Sequence, residues 1–348
     1  MKTLKLLFLL PLSILSLELS AQIDDLLRDK DITWVAESYN DFIIDESRLD
    51  KKDKVMSRTN PLKFINNSED VLDDRYAIQQ WIVTAARNGK FRIYADSDCL
   101  NPINANHIWS RDSIYVMNPN TFELQMKVVP NHIDPERIVG FKARQVVYYN
   151  ARKARFDMRT VAVAPIFIFN YSREDGLLQR CQPLFWFKPQ DLTRSQRLSK
   201  KSITWGRRMD FSSGIALNED SRNILKHTSE TNPIDDLLTV FERNRRTSFY
   251  KREEGLNASK KIPFEDRKKM LWQTDTVAVT DSVGSILHYA VQNSKIESPQ
   301  VTHLQLIQNW YWNKRKQQLE IYLVATAPLA DRFYWRYKMP LFYRRTDD

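Results

Sequence analysis

Apolar and polar positions along this chain fall into two arrangements, one with helical spacing and one alternating. Between Asp73 and Asn88 the apolar residues Ile78, Trp81, Ile82 and Ala85 stand at i, i+3, i+4 and i+7. That spacing predicts an amphipathic helix with Asp73-Asp74 at its start and Asn88-Gly89 as its stop. From Val146 the chain reads "VVYYNARKARFDMRTVAVAP": a β-type run, a polar connection at Asn150 to Arg155, then an alternating stretch that turns fully apolar. This predicts a β-hairpin with a basic tip, Pro165 ending or edging its second strand because proline cannot donate to a ladder.

Both arrangements recur. Asp281-Ser282 precede Val283, Ile286, Leu287 and Ala290 at helical spacing, with Asn293 as the stop, and "NWYWNKRKQQLEIYLVATAP" follows from Asn309. Tyr148, Asn150, Arg152, Lys153, Ala162, Ala164 and Pro165 match Tyr311, Asn313, Arg315, Lys316, Ala325, Ala327 and Pro328 at one constant offset, and Pro-Leu-Phe comes after each set. The pattern predicts an α+β fold: two related helix-plus-β-hairpin units with antiparallel sheets, joined by a helical segment. The first unit covers 22–200 with an insertion at about 91–135, whose "SIYVM" and "ELQMKVV" are of strand length. A basic, mainly helical connector covers 201–272, with helices expected at "NPIDDLLTVFERNRR" and from Phe264 to Trp272. The second, shorter unit covers 273–348. Near the start, "DITWVAESYNDFIIDE" reads as a strand or a short helix.

The N-terminus changes the picture by adding a compartment. Lys2 and Lys5 stand ahead of an apolar run from Leu6 to Leu17, and Ala21 offers a small residue at a cleavage point. This predicts a secretory signal peptide over 1–21, since the run is shorter than the roughly 20 residues a spanning helix needs. Export permits disulfides, so Cys99 and Cys181 are either a bridged pair or two free thiols.

Formal net charge is +10, and removing the leader's two Lys and one Glu leaves +9. The basic residues cluster at "KKSITWGRR", "RNRRTSFYKR" and "NKRK". Such clusters meet nucleic acid, anionic lipid or an acidic protein, or form a solvated face; export sets nucleic acid aside. Aromatic and cationic residues mix as they do at protein contacts. The candidate partner-binding residues are Tyr148, Tyr149, Arg152, Lys153 and Arg155 at the first hairpin, and Arg243, Arg245 and Arg246 in the connector. Tyr311, Trp312, Lys314, Arg315 and Lys316 belong to the second hairpin. The competing reading is two sheets with aromatic cross-strand pairs and cationic edges.

Chemistry is absent from the pattern. Seven glycines leave no phosphate-binding loop, and the five histidines have no metal-ligand spacing. Asp73-Asp74 and Asp235-Asp236 stand at helix starts, where carboxylates cap. The expectation is no catalysis, no cofactor and no metal.

The stretch "RIVGFKARQVVYYNARKARFDMRTVAVAPIF…QPLFWF" resembles the central signature of the GldN/PorN family. "DITW…FIIDESRLD…NPLKF" upstream and "PIDDLLTVFERNRRTSFYKREEG" downstream extend the likeness over Asp31 to Trp272. The chain departs from the family at "DKDITW", where an aspartate-rich opening is usual, and at Asn150, where Asp is expected; residues 273–348 look like an added C-terminal repeat. The resemblance implies a mixed α and β fold without catalysis. It further implies a periplasmic subunit of the gliding-motility and type IX secretion machinery, at the inner face of the outer membrane without a transmembrane span. Its partners would be a GldK/PorK-like lipoprotein and other machinery subunits in a large ring-shaped oligomer. A module binding anionic glycan or peptidoglycan through basic aromatic surfaces is the alternative.

Overall fold

The structure, a computed structural model, describes residues 25–26, 28–43, 62–63, 77–105, 111–117, 124–130, 133–173, 176–192, 203–214, 224–227, 232–251, 260–331 and 338–346. The leader and Asp73-Asp74 lie outside the described residues. In chain order the longer elements begin with β1 (Ile32–Ile43), α1 (Ala77–Arg87), β2 (Arg111–Met117), β3 (Leu124–Pro130), β4 (Ile138–Asn150), β5 (Arg155–Arg173), β6 (Gly176–Pro183) and β7 (Gln190–Asp191). They continue with β8 (Ile203–Gly214), β9 (Ile224–His227), α2 (Pro233–Arg243) and α3 (Phe264–Met270). The last are β10 (Trp272–Thr280), β11 (Ile286–Lys295), β12 (Val301–Asn313), β13 (Gln318–Asp331) and β14 (Lys338–Pro340).

Two sheets carry the fold. Sheet one runs β9-β1-β4-β5-β6 and is antiparallel throughout. Sheet two runs β7-β13-β12-β8 and ends on the short pair Leu62–Lys63, with β14 and Arg344–Arg345 also pairing with β13. Its single parallel contact is β7 with β13. The class is therefore α+β with largely antiparallel sheets. Each sheet takes an edge strand from the other half of the chain: β9 sits on β1, and Leu62–Lys63 sits on β8.

The two sheets share a ladder. β4 and β5 turn back at Asn150↔Arg155, and β12 and β13 at Asn313↔Gln318. Bulges fall between Arg144 and Gln145 in one and between Ile307 and Gln308 in the other, and again after Ile138 and after Val301. β1 meets β4 with a bulge between Ile32 and Trp34, and β8 meets β12 with one between Ile203 and Trp205. Leu184 donates to the Pro165 carbonyl at 2.9 Å, as Leu341 does to the Pro328 carbonyl at 3.0 Å. Tyr94 and Trp186 exchange backbone bonds, as do Tyr250 and Tyr343.

Several expectations are corrected here. The apolar positions Val283, Ile286, Leu287 and Ala290 are a turn and strand β11, not a helix. The flanking run is rich in Val, Thr and Ile, and their stiff branched side chains fit a strand at least as well as a helix. α2 has the same 11-residue length as α1, and each helix stands before a Tyr that bridges to a Pro-Leu-Phe segment. Residues 203–214, inside the stretch read as a helical connector, are strand β8. Pro165 stands inside β5 opposite Phe141 rather than ending it.

The core lies between the sheets. Phe42 and Phe141 of sheet one meet Trp310 of sheet two, with ring centroids 4.9 and 6.1 Å apart. α1 sets Trp81 against Trp312 in a stacked pair at 6.5 Å. α2 reciprocates toward the other sheet: the Tyr149 hydroxyl donates to Asp236 Oδ2 at 2.7 Å. Each helix has a defined end. Gly89 adopts φ +64°, and its amide and that of Lys90 close on the Ala86 and Ala85 carbonyls. Asn232 caps α2 by accepting from the Ile234 amide, with Pro233 in its first turn. In sheet one, Gly140 lies so close to β1 that a Cβ there would collide with the Phe42 carbonyl.

Candidate interaction surface

The two hairpin tips are built alike. Asn150 Oδ1 accepts from the Lys153 amide at 2.9 Å, and Asn313 Oδ1 accepts from the amides of Arg315 and Lys316 at 3.1 and 3.2 Å. Each turn ends in a left-handed residue, Ala154 at φ +46° and Gln317 at φ +51°. Asn is suited to this role because its short amide bonds the backbone two or three residues on. These turns hold Arg152 and Lys153, and Lys314, Arg315 and Lys316, out in solvent.

Their electrostatics differ. Arg152 is 81% exposed, and its nearest acid is Asp31 at 3.7 Å. Lys316 binds Glu320 Oε1 at 2.8 Å and Gln190 Oε1 at 3.1 Å. Glu320 is almost fully buried, and Asn313 Nδ2 also donates to it at 3.0 Å.

The aromatic half of the expected surface is not on the surface. Tyr149 and Trp312 are buried in the shared core. Tyr148 and Tyr311 are half-buried. Burial pushes the Tyr148 phenol up to about 12 and raises that of Tyr311. Burial and the bond to Asp236 raise Tyr149 far above its ordinary range. Arg155 also belongs to the framework: it pairs with Asp157 at 3.0 Å and donates to the Thr346 carbonyl at 2.7 Å. The surface that remains is cationic rather than aromatic. An inward Tyr or Trp reads the same as an outward one in sequence, because alternation fixes a face but not which face is covered.

Arg243 at the end of α2 and Arg245 and Arg246 just past it are exposed, with Arg245 over the Phe264 ring at 4.9 Å. Beneath them lies a residue the sequence did not single out. Arg267 is buried among Phe241, Phe249 and Phe264, and donates to the carbonyls of Phe241, Asn244 and Thr247 at 3.3, 2.7 and 2.7 Å. Its charge sits at the C-terminal end of α2, where the carbonyls and the helix dipole favour a cation. Desolvation, the largest influence, lowers its pKa.

Cys99 and Cys181 are not bridged to each other and lie in different clusters, so the bridge weighed from composition does not form. Cys99 packs with Tyr94, Ala162, Ala164 and Trp186, whereas Cys181 packs with Ile43, Val139, Ile166 and Ile168. Burial pushes the Cys99 thiol up to about 12, which keeps it unreactive.

A cleft of about 540 Å³ opens beside the end of α1, lined by Arg87, Gly89, Phe91, Arg92, Ile103 and neighbouring residues. Its titratable side chains are the two arginines, so it brings no acid, base or nucleophile together. Among the described residues no group of three or more His, Cys, Asp or Glu could hold a metal ion, and no helix is long and apolar enough to cross a membrane.

No curated protein matches the chain. Residues 58–201 match the model of the family described as Gliding motility associated protein GldN. That span holds α1, the first hairpin with its Asn150 tip and the Pro-Leu-Phe segment, the parts whose geometry is set out above. Members of this family are periplasmic components of the gliding-motility and type IX secretion machinery. Over that span the chain is similar to the GldN/PorN family.

Proposed function

We propose that this chain is a non-catalytic structural subunit of the type IX secretion and gliding-motility machinery. It binds a GldK-like outer-membrane lipoprotein at the periplasmic side of the membrane, in a ring-shaped assembly. The observation that carries the reading is the family match over 58–201. Two exposed cationic tips on rigid Asn-anchored turns support it, since basic side chains on a fixed scaffold suit docking to an acidic partner. Export through a leader at 1–21 is part of the same proposal.

We further propose a division of the chain into two interlocked copies of one unit, over 32–187 and 203–345. The matching bulges and turns support it, together with Ile-Thr-Trp opening both β1 and β8. The glycan-binding alternative loses support from the burial of Tyr149 and Trp312, the rings that a sugar would stack on.

The experiment is deletion of the chain with a secretion assay, alongside affinity purification from envelope fractions and mass spectrometry. Loss of secretion and recovery of an outer-membrane lipoprotein are expected. Intact secretion with no envelope partner would overturn the reading.

A further inference from the structure

Positive charge in the second half of the chain gathers at one place. Arg243 at the end of α2, Arg245 and Arg246 just past it, and Lys268 and Lys269 of α3 are all exposed. They stand where the β10–β11 ribbon leaves the fold. Only Leu271 separates α3 from β10, and Ile296, just past β11, donates to the Leu271 carbonyl at 2.7 Å. Lys295 reaches back to Glu242 of α2 at 2.8 Å. That bond, with Lys268 and Arg243 also near, holds the Glu242 carboxyl below its ordinary range. One acid is thus shared by three cations, and with Glu265 and Asp266 of α3 counted the ribbon's root stays net positive.

Beyond the root the character changes. From Thr276 to Ser294 the only charged residue is Asp281, although 28% of the whole sequence is charged. Asp281 Oδ1 accepts from the Val283 and Ser285 amides at 2.9 and 2.8 Å, so this one charge is tied into the turn. Tyr289 and Val291 are 64% and 69% exposed and share a face, with Ala278 and Thr276 opposite them. Toward the turn, Leu287 and Val283 are 63% and 88% exposed. The remaining side chains there are Thr, Ser, Asn, Gln and one His, polar but small in charge. Trp272, half exposed, stands at the junction of the two zones.

The order of these zones selects what they meet. An acidic protein would satisfy the cations and leave Leu287, Tyr289 and Val291 in water, whereas an apolar groove would do the reverse. A membrane surface offers both layers in sequence: anionic headgroups attract Lys and Arg, the interface takes Trp and Tyr, and the acyl boundary takes apolar side chains.

We propose that this part of the chain is a lipid-contacting site, in which Arg243 and Lys268 meet the phosphates of anionic phospholipid and the β10–β11 ribbon lays Val283, Leu287, Tyr289 and Val291 into the headgroup–acyl boundary. The contact is interfacial, because backbone groups along a two-stranded ribbon need water or headgroups as partners. It goes beyond the secretion reading and does not rest on it: the lipoprotein contact is assigned to the hairpin tips, and failure of either leaves the other standing.

The test uses the mature full chain and protein-free vesicles. Vesicles of phosphatidylglycerol and phosphatidylethanolamine should sediment it about tenfold more strongly than phosphatidylcholine vesicles, and raised salt should reverse most of the difference. Arg243→Gln with Lys268→Gln should weaken binding about tenfold or more. Leu287→Ser with Val291→Ser should do the same by removing apolar area, while Leu287→Met with Val291→Ile keeps that area and should bind like the parent. All three pairs should melt like the parent, since the sites are exposed and lie outside both main sheets. A phospholipid with a photoreactive group in its acyl chain should attach to residues 280–291. No sedimentation with anionic vesicles, a serine pair that binds like the parent, adducts on the hairpin tips instead, or an acidic protein bound through these cations while vesicles are not, would each overturn the proposal.

Discussion

The two hairpins share turns and bulges yet differ in what fills them. β4 places Val147 and Tyr149 where β12 places Trp310 and Trp312, and both sets are buried. Gln145 and Gln308, identical at this same offset, touch each other: each side-chain amide donates to the other's oxygen, at 3.0 and 3.3 Å, deep in the core. A backbone ladder is fixed by caps, bulges and alternation, all of which depend on residue class. Core volume has to close across both sheets together, so one half can carry large rings where the other carries small ones.

Unequal filling can be tested directly. Trp310→Ala should cost about 3–5 kcal/mol, read from denaturant midpoints. Val147→Ala at the matching place should cost clearly less, about 2 kcal/mol, because fewer methyl groups leave the core. Equal costs would mean that the two halves share their load evenly and that the asymmetry of side chains is incidental.

The glutamine pair tests the point where the halves meet. Gln145→Leu or Gln308→Leu alone strands a buried amide and should cost about 1–3 kcal/mol. The double variant should cost less than the two added together, with a coupling of about 0.5–3 kcal/mol in a double-mutant cycle. Simple additivity would argue against a shared polar contact.

Asp191 ties the sheets in another way and sharpens the comparison by pH. It lies in β7 on sheet two, and its Oδ2 accepts from the Thr160 amide of sheet one at 2.7 Å. Desolvation pushes its carboxyl up from 3.8 to about 7, against the pull of the Thr160 bonds and Arg159. The folded chain therefore holds this proton at pH values where the unfolded chain has lost it. The contribution to stability is fully present below about pH 4 and is lost as pH rises through about 7. Asp191→Asn should flatten that fall in urea midpoints between these pH values. An unchanged slope would place the titration elsewhere.

Much of this architecture could be read from the chain. The first hairpin, its basic tip, the Asn88-Gly89 stop and α2 with its Pro233 start all appear in the structure. The helix expected at Val283 did not, because Ile286, Leu287 and Ala290 at helical spacing also fit a strand that carries apolar side chains among polar ones on each face. The Ile-Thr-Trp shared by β1 and β8 was legible but short, and the link between α1 and α2 rests on a Tyr bridge that sequence cannot show. Of the candidate surface residues, the tip cations are exposed while Arg155, Tyr149 and Trp312 are turned inward. Arg152, Lys153, Lys314, Arg315 and Lys316 must reach water, whereas Tyr149 and Trp312 gain most from leaving it.

The smallest effect on stability, and the most direct on function, is expected at the tips. Arg152→Glu with Lys153→Glu changes two exposed cations whose loss should move stability by no more than about 0.5 kcal/mol. Arg315→Glu with Lys316→Glu should cost more, because it removes the ammonium that meets the buried Glu320 and puts a like charge beside it. Thermal melting orders the two variants, and a pull-down from envelope fractions reads contact. The first-tip variant should melt like the parent and recover less partner. If it is folded and recovers the same envelope proteins at the same yield, the first tip is solvated scaffold, and the contact has to be sought at Arg243, Arg245 and Arg246 or on the second tip.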